Sequence, residues 1–333
     1  MDMPALPMAV DLGTSFESFF NAVDRFFSDL AAIQWGPLAL ALACYLGMLL
    51  ARTRAWQNVL RAAYPGKKVR YLPVTGAYLA GAGINGIIPA RIGDAVKILL
   101  GRRVVPGSSY PAITSSFLVQ TVFDTTVGVL VLIYAITQGL LPRPPELPNI
   151  PAFEISFWAE HPRALVLFLT VLAIGGSAAF ILYAHRAEAF WQRVKQGVAV
   201  LTDPPLYLRT VASWQGVGWV FRFVSFWFFL DAFNVGGSAE AVLLVMSVQA
   251  VSTIIPFTPG GAGAQQALLV ATLAGPSKAT VLAYSVGQQI VVAVWAALLG
   301  FLALLFIFRT TDWRGLMRAA ESEAEAAGAS QPG

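Results

Sequence analysis

The run Ile84-Asn85-Gly86-Ile87-Ile88-Pro89-Ala90-Arg91-Ile92-Gly93-Asp94-Ala95-Val96-Lys97 decides the fold, because it sets proline, glycine and charge inside an apolar segment. The whole segment, residues 71–100, is followed by Arg102 and Arg103. Taken as one span, it carries those arginines across the membrane and reverses every later loop. Taken as a hairpin of two part-helices, it returns them to the side it started from. The second arm, about 11 residues at 1.5 Å each, reaches only about 16 Å, half the hydrocarbon thickness. The sequence therefore predicts a hairpin.

The surroundings are those of a membrane protein. Hydrophobic residues make up 57% of the 333 and charged residues 12%, about half the share that a soluble surface needs. Mean hydropathy is +0.66. Residues 35–51, 113–136, 164–184, 211–230 and 280–308 are apolar blocks of spanning length, and none alternates with the period of two of an outer-membrane barrel. The sequence predicts an all-α polytopic bundle of about five full spans and two opposed re-entrant hairpins. Residues 1–34 form an N-terminal segment, 35–308 the transmembrane domain and 309–333 an acidic, Ala-rich cytoplasmic tail read as disordered. Within the first segment, Phe16, Phe19, Phe20, Val23, Phe26, Phe27 and Leu30 recur at helical spacing, as in an interfacial amphipathic helix or one packed on the bundle's end.

Charge sets the orientation. Arg52, Arg54, Arg61, Lys67, Lys68 and Arg70 follow the first apolar block without an acid, and are read as a cytoplasmic loop. The N-terminus is then outside and the C-terminus cytoplasmic, in the inner membrane. No signal peptide is evident at Met1–Val10. A lone cysteine, Cys44, gives no disulfide or metal framework. No P-loop, HExxH or nucleophile elbow is present, so no enzyme, metal or organic cofactor is expected. The net charge of +4 reads as topology and not as nucleic-acid binding.

A second interrupted segment, residues 241–274, holds Val251-Ser252-Thr253-Ile254-Ile255-Pro256-Phe257-Thr258-Pro259-Gly260-Gly261-Ala262-Gly263-Ala264-Gln265-Gln266. Like the first, it carries a polar pair, Ile-Ile-Pro and a glycine-rich stretch, and under this topology it enters from the opposite face. Inverted, interrupted segments point to a transporter's midplane site, although six residues also match by chance in a chain rich in Ile, Gly and Pro. Pro89, Gly93, Pro256, Pro259 and Gly263 are the expected breaks.

The candidate binding residues are polar groups placed where lipid cannot solvate them. Arg91, beside Asn85, sits in the first turn after the first break, where the helix dipole already concentrates positive potential suited to phosphate or carboxylate. Asp94 and Lys97 follow on the same side; the bland alternative is an Arg91–Asp94 brace with Lys97 snorkelling outward. Asp124 and Arg222 fall inside apolar blocks, and Asp124 is a partner for Arg91, a partner for Arg222 or a proton-coupling group. Gly260, Gly261 and Gln265 offer backbone amides and a carboxamide, or simply allow close helix packing.

Asn85…Pro89-Ala90-Arg91-Ile92-Gly93-Asp94…Lys97, with Pro259-Gly260-Gly261-Ala262-Gly263, resembles the flippase-like lysylphosphatidylglycerol synthase transmembrane-region family. Arg52…Arg54-Ala55-Trp56 and Asp124 also look like family positions, and the resemblance covers residues 35–308. It implies a polytopic domain that moves phospholipid between leaflets. In larger members a cytoplasmic domain makes the aminoacylated lipid; the tail after Phe308 is too short for one, so a separately encoded lipid-modifying enzyme is an expected partner. Where relatives often carry a glutamate after P-G-G-x-G, this chain has Gln265 and Gln266. The expected substrates are membrane lipids with anionic headgroups. The alternatives are a transporter of a small soluble anion and a non-catalytic membrane partner of an enzyme.

Overall fold

A computed structural model describes residues 32–88, 92–137, 190–252, 264–273 and 275–308. The described residues form helices α1 (Trp35–Ala63), α2 (Tyr71–Ile87), α3 (Ile92–Val104), α4 (Tyr110–Thr137), α5 (Ser213–Ala232), α6 (Ala239–Ser252), α7 (Ala264–Thr272) and α8 (Lys278–Phe306). Residues 190–197 are also helical, and a 3-10 turn, a short helix and a π-helical turn (Leu208–Ala212) lead into α5. The segments outside this description include the amphipathic stretch 15–31, the apolar block 164–184 and the tail 309–333.

Three helices, α1, α4 and α8, are long and apolar enough to cross a bilayer. Helix α5 is 20 residues long, but Trp214, Trp219, Trp227, Gln215 and Arg222 lower its hydropathy and it is not among the three. Exposed apolar residues run in stripes: Ile290, Val294, Leu298 and Phe301 along α8, and Leu118, Val122, Leu130 and Ile133 along α4. A water-soluble chain rarely leaves such stripes bare; against lipid tails they cost nothing.

Helix α1 packs along α5 in antiparallel fashion. Phe221 lies on the bare backbone of Gly47, Arg52 lies against Gly218, and Ser225 Oγ donates to the Ala41 carbonyl at 2.9 Å. Asn234, in the left-handed region at φ 58°, clasps the pair at one end through Gln34 Nε2 (2.6 Å) and the Ala32 carbonyl (3.0 Å). Helix α8 crosses α2 where two glycines meet: a Cβ on Gly83 would fall 2.7 Å from the Ala296 carbonyl, and one on Gly300 2.9 Å from Gly83 Cα. Small residues let backbones approach where the hydrophobic effect does not drive helices together.

The chain turns back between α2 and α3. Helix α2 ends at Ile87, and Ile88 is extended at φ −109°, ψ 120°. Beyond the turn the helices run side by side, with Gly93 against Gly81 and Asn85, and Lys97 against Gly81 and Tyr78. At 17 and 13 residues they measure about 25 and 20 Å, each short of the ~30 Å hydrocarbon core. The predicted break is thus observed as two packed helices.

One expectation is corrected. Arg52, Arg54 and Arg61 do not lie in a loop after a span ending at residue 51: α1 continues unbroken to Ala63 and carries all three. Arg52 and Arg54 are partly buried, and the neighbouring Thr53, Ala55, Trp56 and Gln57 are buried. The helix persists because its interior face keeps apolar and hydrogen-bonded residues after the charges begin.

Candidate functional site

Arg52 holds the centre of a polar chain through the apolar bundle. Its Nη2 forms an ion pair with Asp124 Oδ2, and its Nη1 lies 3.3 Å from Oδ1. Its Nε donates to the Tyr78 hydroxyl at 3.0 Å, so three elements (α1, α2 and α4) converge on one guanidinium. Asp124 also accepts from Trp219 Nε1 of α5 at 2.9 Å. Gln120, one turn before Asp124, donates to the Arg52 carbonyl at 3.0 Å. The side chains of Arg52 and Asp124 are 20% and 27% exposed, so each has lost most of its water.

Tyr78 links this group to a second. Its ring lies 4.9 Å from Lys97 Nζ, which also lies 5.3 Å from the Phe117 ring. Lys97 Nζ contacts Asp94 Oδ1 at 2.7 Å, and Asn85 Nδ2 donates to the same oxygen at 3.1 Å. Asn85 Oδ1, buried beside Gly93, has no hydrogen-bond partner. Trp56 backs the assembly: fully buried, it stacks on Phe117 at 4.9 Å and donates to Ser116 Oγ at 2.9 Å.

Arg222 sits differently. Its Nη2 donates to Gln249 Oε1 of α6 at 2.6 Å, and the guanidinium lies 5.0 Å from the Trp219 ring and 5.8 Å from Phe226. Among the described residues it has no carboxylate partner. Among the described residues Arg52 and Lys97 are paired with Asp124 and Asp94, whereas Arg222 forms no ion pair; it is held by an amide and aromatic faces and feels the Asp124 carboxylate only at a distance, a setting that favours an arriving anion.

Of the sequence-derived candidates, Asn85, Asp94, Lys97, Asp124 and Arg222 thus lie in one network or against it, and Gly93 lies in the first turn of α3. Gln265, buried on α7, accepts from Gln289 Nε2 of α8 at 3.2 Å, apart from the charged chain. Arg91, Pro89, Pro256, Pro259, Gly260, Gly261 and Gly263 lie outside the described residues. Arg52 and Tyr78 were not among the candidates. Arg52 was read as a loop cation, and a tyrosine in an apolar helix carries no signal; the clue within reach was Asp124, which needs a cation at its own depth.

The model of the lysylphosphatidylglycerol synthase TM region matches residues 18–300, most of the chain. No curated protein and no solved structure matches.

Proposed function

The chain belongs to the lysylphosphatidylglycerol synthase transmembrane-region family, and from that membership and the site's charges we propose that it translocates a lipid with an anionic headgroup between leaflets. The observation that carries the reading is Arg222: a cation without an ion-pair partner among the described residues, packed between apolar helices one indole, Trp219, away from the Arg52–Asp124 pair. A charge near the bilayer centre costs about 2.5–3.5 kcal/mol on insertion scales, so one that is left uncompensated serves a ligand more readily than a fold. In the resting state Asp124 answers Arg52. A phosphate brought to Arg222 competes for Arg52 through Trp219, whose indole already spans the two groups. Arg91, which falls between Ile87 and Ile92 in the sequence, is the second cation assigned to the substrate in this reading.

In this reading α2–α3 and α6–α7 are re-entrant hairpins of an inverted pair, entering from opposite faces. The charged chain lies near the midplane, where broken helices place substrate sites. The positive-inside rule sets the basic end of the bundle in the cytoplasm of an inner-membrane protein.

Purified protein in liposomes with fluorescent phospholipids of several headgroups tests this. Wild type is expected to move anionic lipids at least ten times faster than Arg222→Gln or Arg91→Ala, with all three folded alike. Equal rates in the three remove the arginines from the mechanism; uptake of a soluble anion without lipid movement replaces the lipid reading with solute transport.

A further inference from the structure

At one end of the bundle the ends of α1 and α3 meet the start of α4 and the helical segment 190–197. The chain contacts are specific: Lys67 Nζ donates to the Pro106 carbonyl (2.5 Å), Ser109 N to the Tyr64 hydroxyl (3.3 Å), Gln196 Nε2 to the Ala63 carbonyl (2.9 Å), and Ser115 Oγ to the Val194 carbonyl (2.9 Å). Between them lies a cavity of about 550 Å³ lined by Lys67, Arg102, Arg193, Ser108, Ser109 and Tyr110, among others, with no acidic residue among the described residues of its wall.

Four features of this cavity point the same way. Three cations face it, and among the described residues no carboxylate lines it. Arg102 is held ready: its guanidinium stacks 3.8 Å above the Tyr110 ring and its Nε donates to the Ser108 carbonyl at 3.3 Å, while its terminal nitrogens have no hydrogen bond among the described residues. Helix α4, 28 residues long and capped where Ala112 N donates to Ser109 Oγ at 3.4 Å, directs the positive end of its dipole there. Finally, Ser108, one of the lining residues, is 5% exposed and its buried Oγ has no hydrogen-bond partner. A buried hydroxyl left unbonded costs about 1–3 kcal/mol, and an acceptor-rich ligand removes that cost.

We propose that this cavity is a binding site for a phosphate group, monoester or diester, separate from the charged chain around Arg52. Arg102 and Arg193 contact the phosphate oxygens, Ser108 Oγ donates to one of them, and Lys67 adds charge at the rim. The lipid source is a phospholipid headgroup at the membrane surface; the soluble source is a free phosphate ester. The site does not depend on translocation.

The test measures binding to the full-length protein in nanodiscs of phosphatidylcholine. One arm adds inorganic phosphate and glycerol phosphate; the other replaces part of the bilayer with phosphatidic acid or phosphatidylglycerol and reads thermal stabilisation. Binding in either arm supports the proposal and names the source. Arg193→Gln and Ser108→Ala are each expected to weaken it about tenfold, the worth of one charge-assisted hydrogen bond. Affinity is expected to fall as salt rises. Ser108→Ala separates binding from folding, because deleting an unbonded hydroxyl leaves the ligand-free melting temperature unchanged or higher. Absence of binding in both arms, or variants that bind as wild type does, overturns the proposal. Lipid translocation by the wild-type protein is read in parallel: binding without translocation rejects the transport reading alone, and translocation without binding rejects the cavity alone.

Discussion

Asp124→Asn removes the negative charge opposite Arg52 and keeps an oxygen for Trp219 Nε1. An exposed ion pair is worth about 0–1 kcal/mol, while breaking a fully buried one costs about 3–5 kcal/mol. With side chains 20% and 27% exposed, the Arg52–Asp124 pair falls between these limits. The Tyr78 hydroxyl still accepts from Arg52 Nε, which softens the loss. The expected cost is about 2 kcal/mol for Asp124→Asn and about 3 kcal/mol for Asp124→Ala, which also strips the indole of its acceptor. Arg52→Met removes the cation instead, and the double variant Arg52→Met/Asp124→Asn recovers part of the sum. Equilibrium unfolding of the full chain in mixed micelles, followed by tryptophan fluorescence, gives the coupling energy, expected at about 1.5–2 kcal/mol. A coupling under about 0.5 kcal/mol, the scatter expected of independent sites, would refute the convergence of α1, α2 and α4 on one guanidinium.

The remaining predictions concern packing and the unanswered cation. Gly83→Ala and Gly300→Ala force α2 and α8 apart and are expected to cost about 1–3 kcal/mol each, whereas Gly216→Ala, with nothing within 4 Å, is expected to gain about 0.5–1 kcal/mol from helix propensity. The same unfolding assay reads all three, and equal costs at Gly83 and Gly216 contradict the crossing. Arg222→Met is expected to leave stability unchanged or raise it while lowering lipid movement at least tenfold. A drop in stability with movement intact makes Arg222 a structural group.

The helical membrane class and the break near Pro89 were legible in the sequence because both rest on backbone arithmetic: blocks long enough to span, and a polar interruption that leaves arms too short to do so. The end of the first helix was not. Arg52 and Arg54 resemble the edge of a cytoplasmic loop when charge is counted along the chain. What keeps α1 going is the burial of Ala55, Trp56, Val59 and Leu60, which depends on helices distant in sequence. Partners were harder still. Asp124 had Arg91 and Arg222 as plausible mates, and only the packing of α1 beside α4 gives it Arg52. Lys97, read as snorkelling or ligand-facing, lies between two rings and the Asp94 carboxylate, an arrangement set by the Gly81–Gly93 contact that brings α3 against α2.

Depth is the quantity on which the proposed translocation stands. A nitroxide on Ile87→Cys, in a Cys44→Ala background, sits on an exposed position at the tip of the α2–α3 hairpin. Power-saturation measurements in liposomes, comparing oxygen with a water-soluble nickel reagent, place it against the bilayer. The label is expected in the hydrocarbon core, about 15–20 Å below the headgroups from which the hairpin enters. A label that reads as headgroup or bulk water would contradict it.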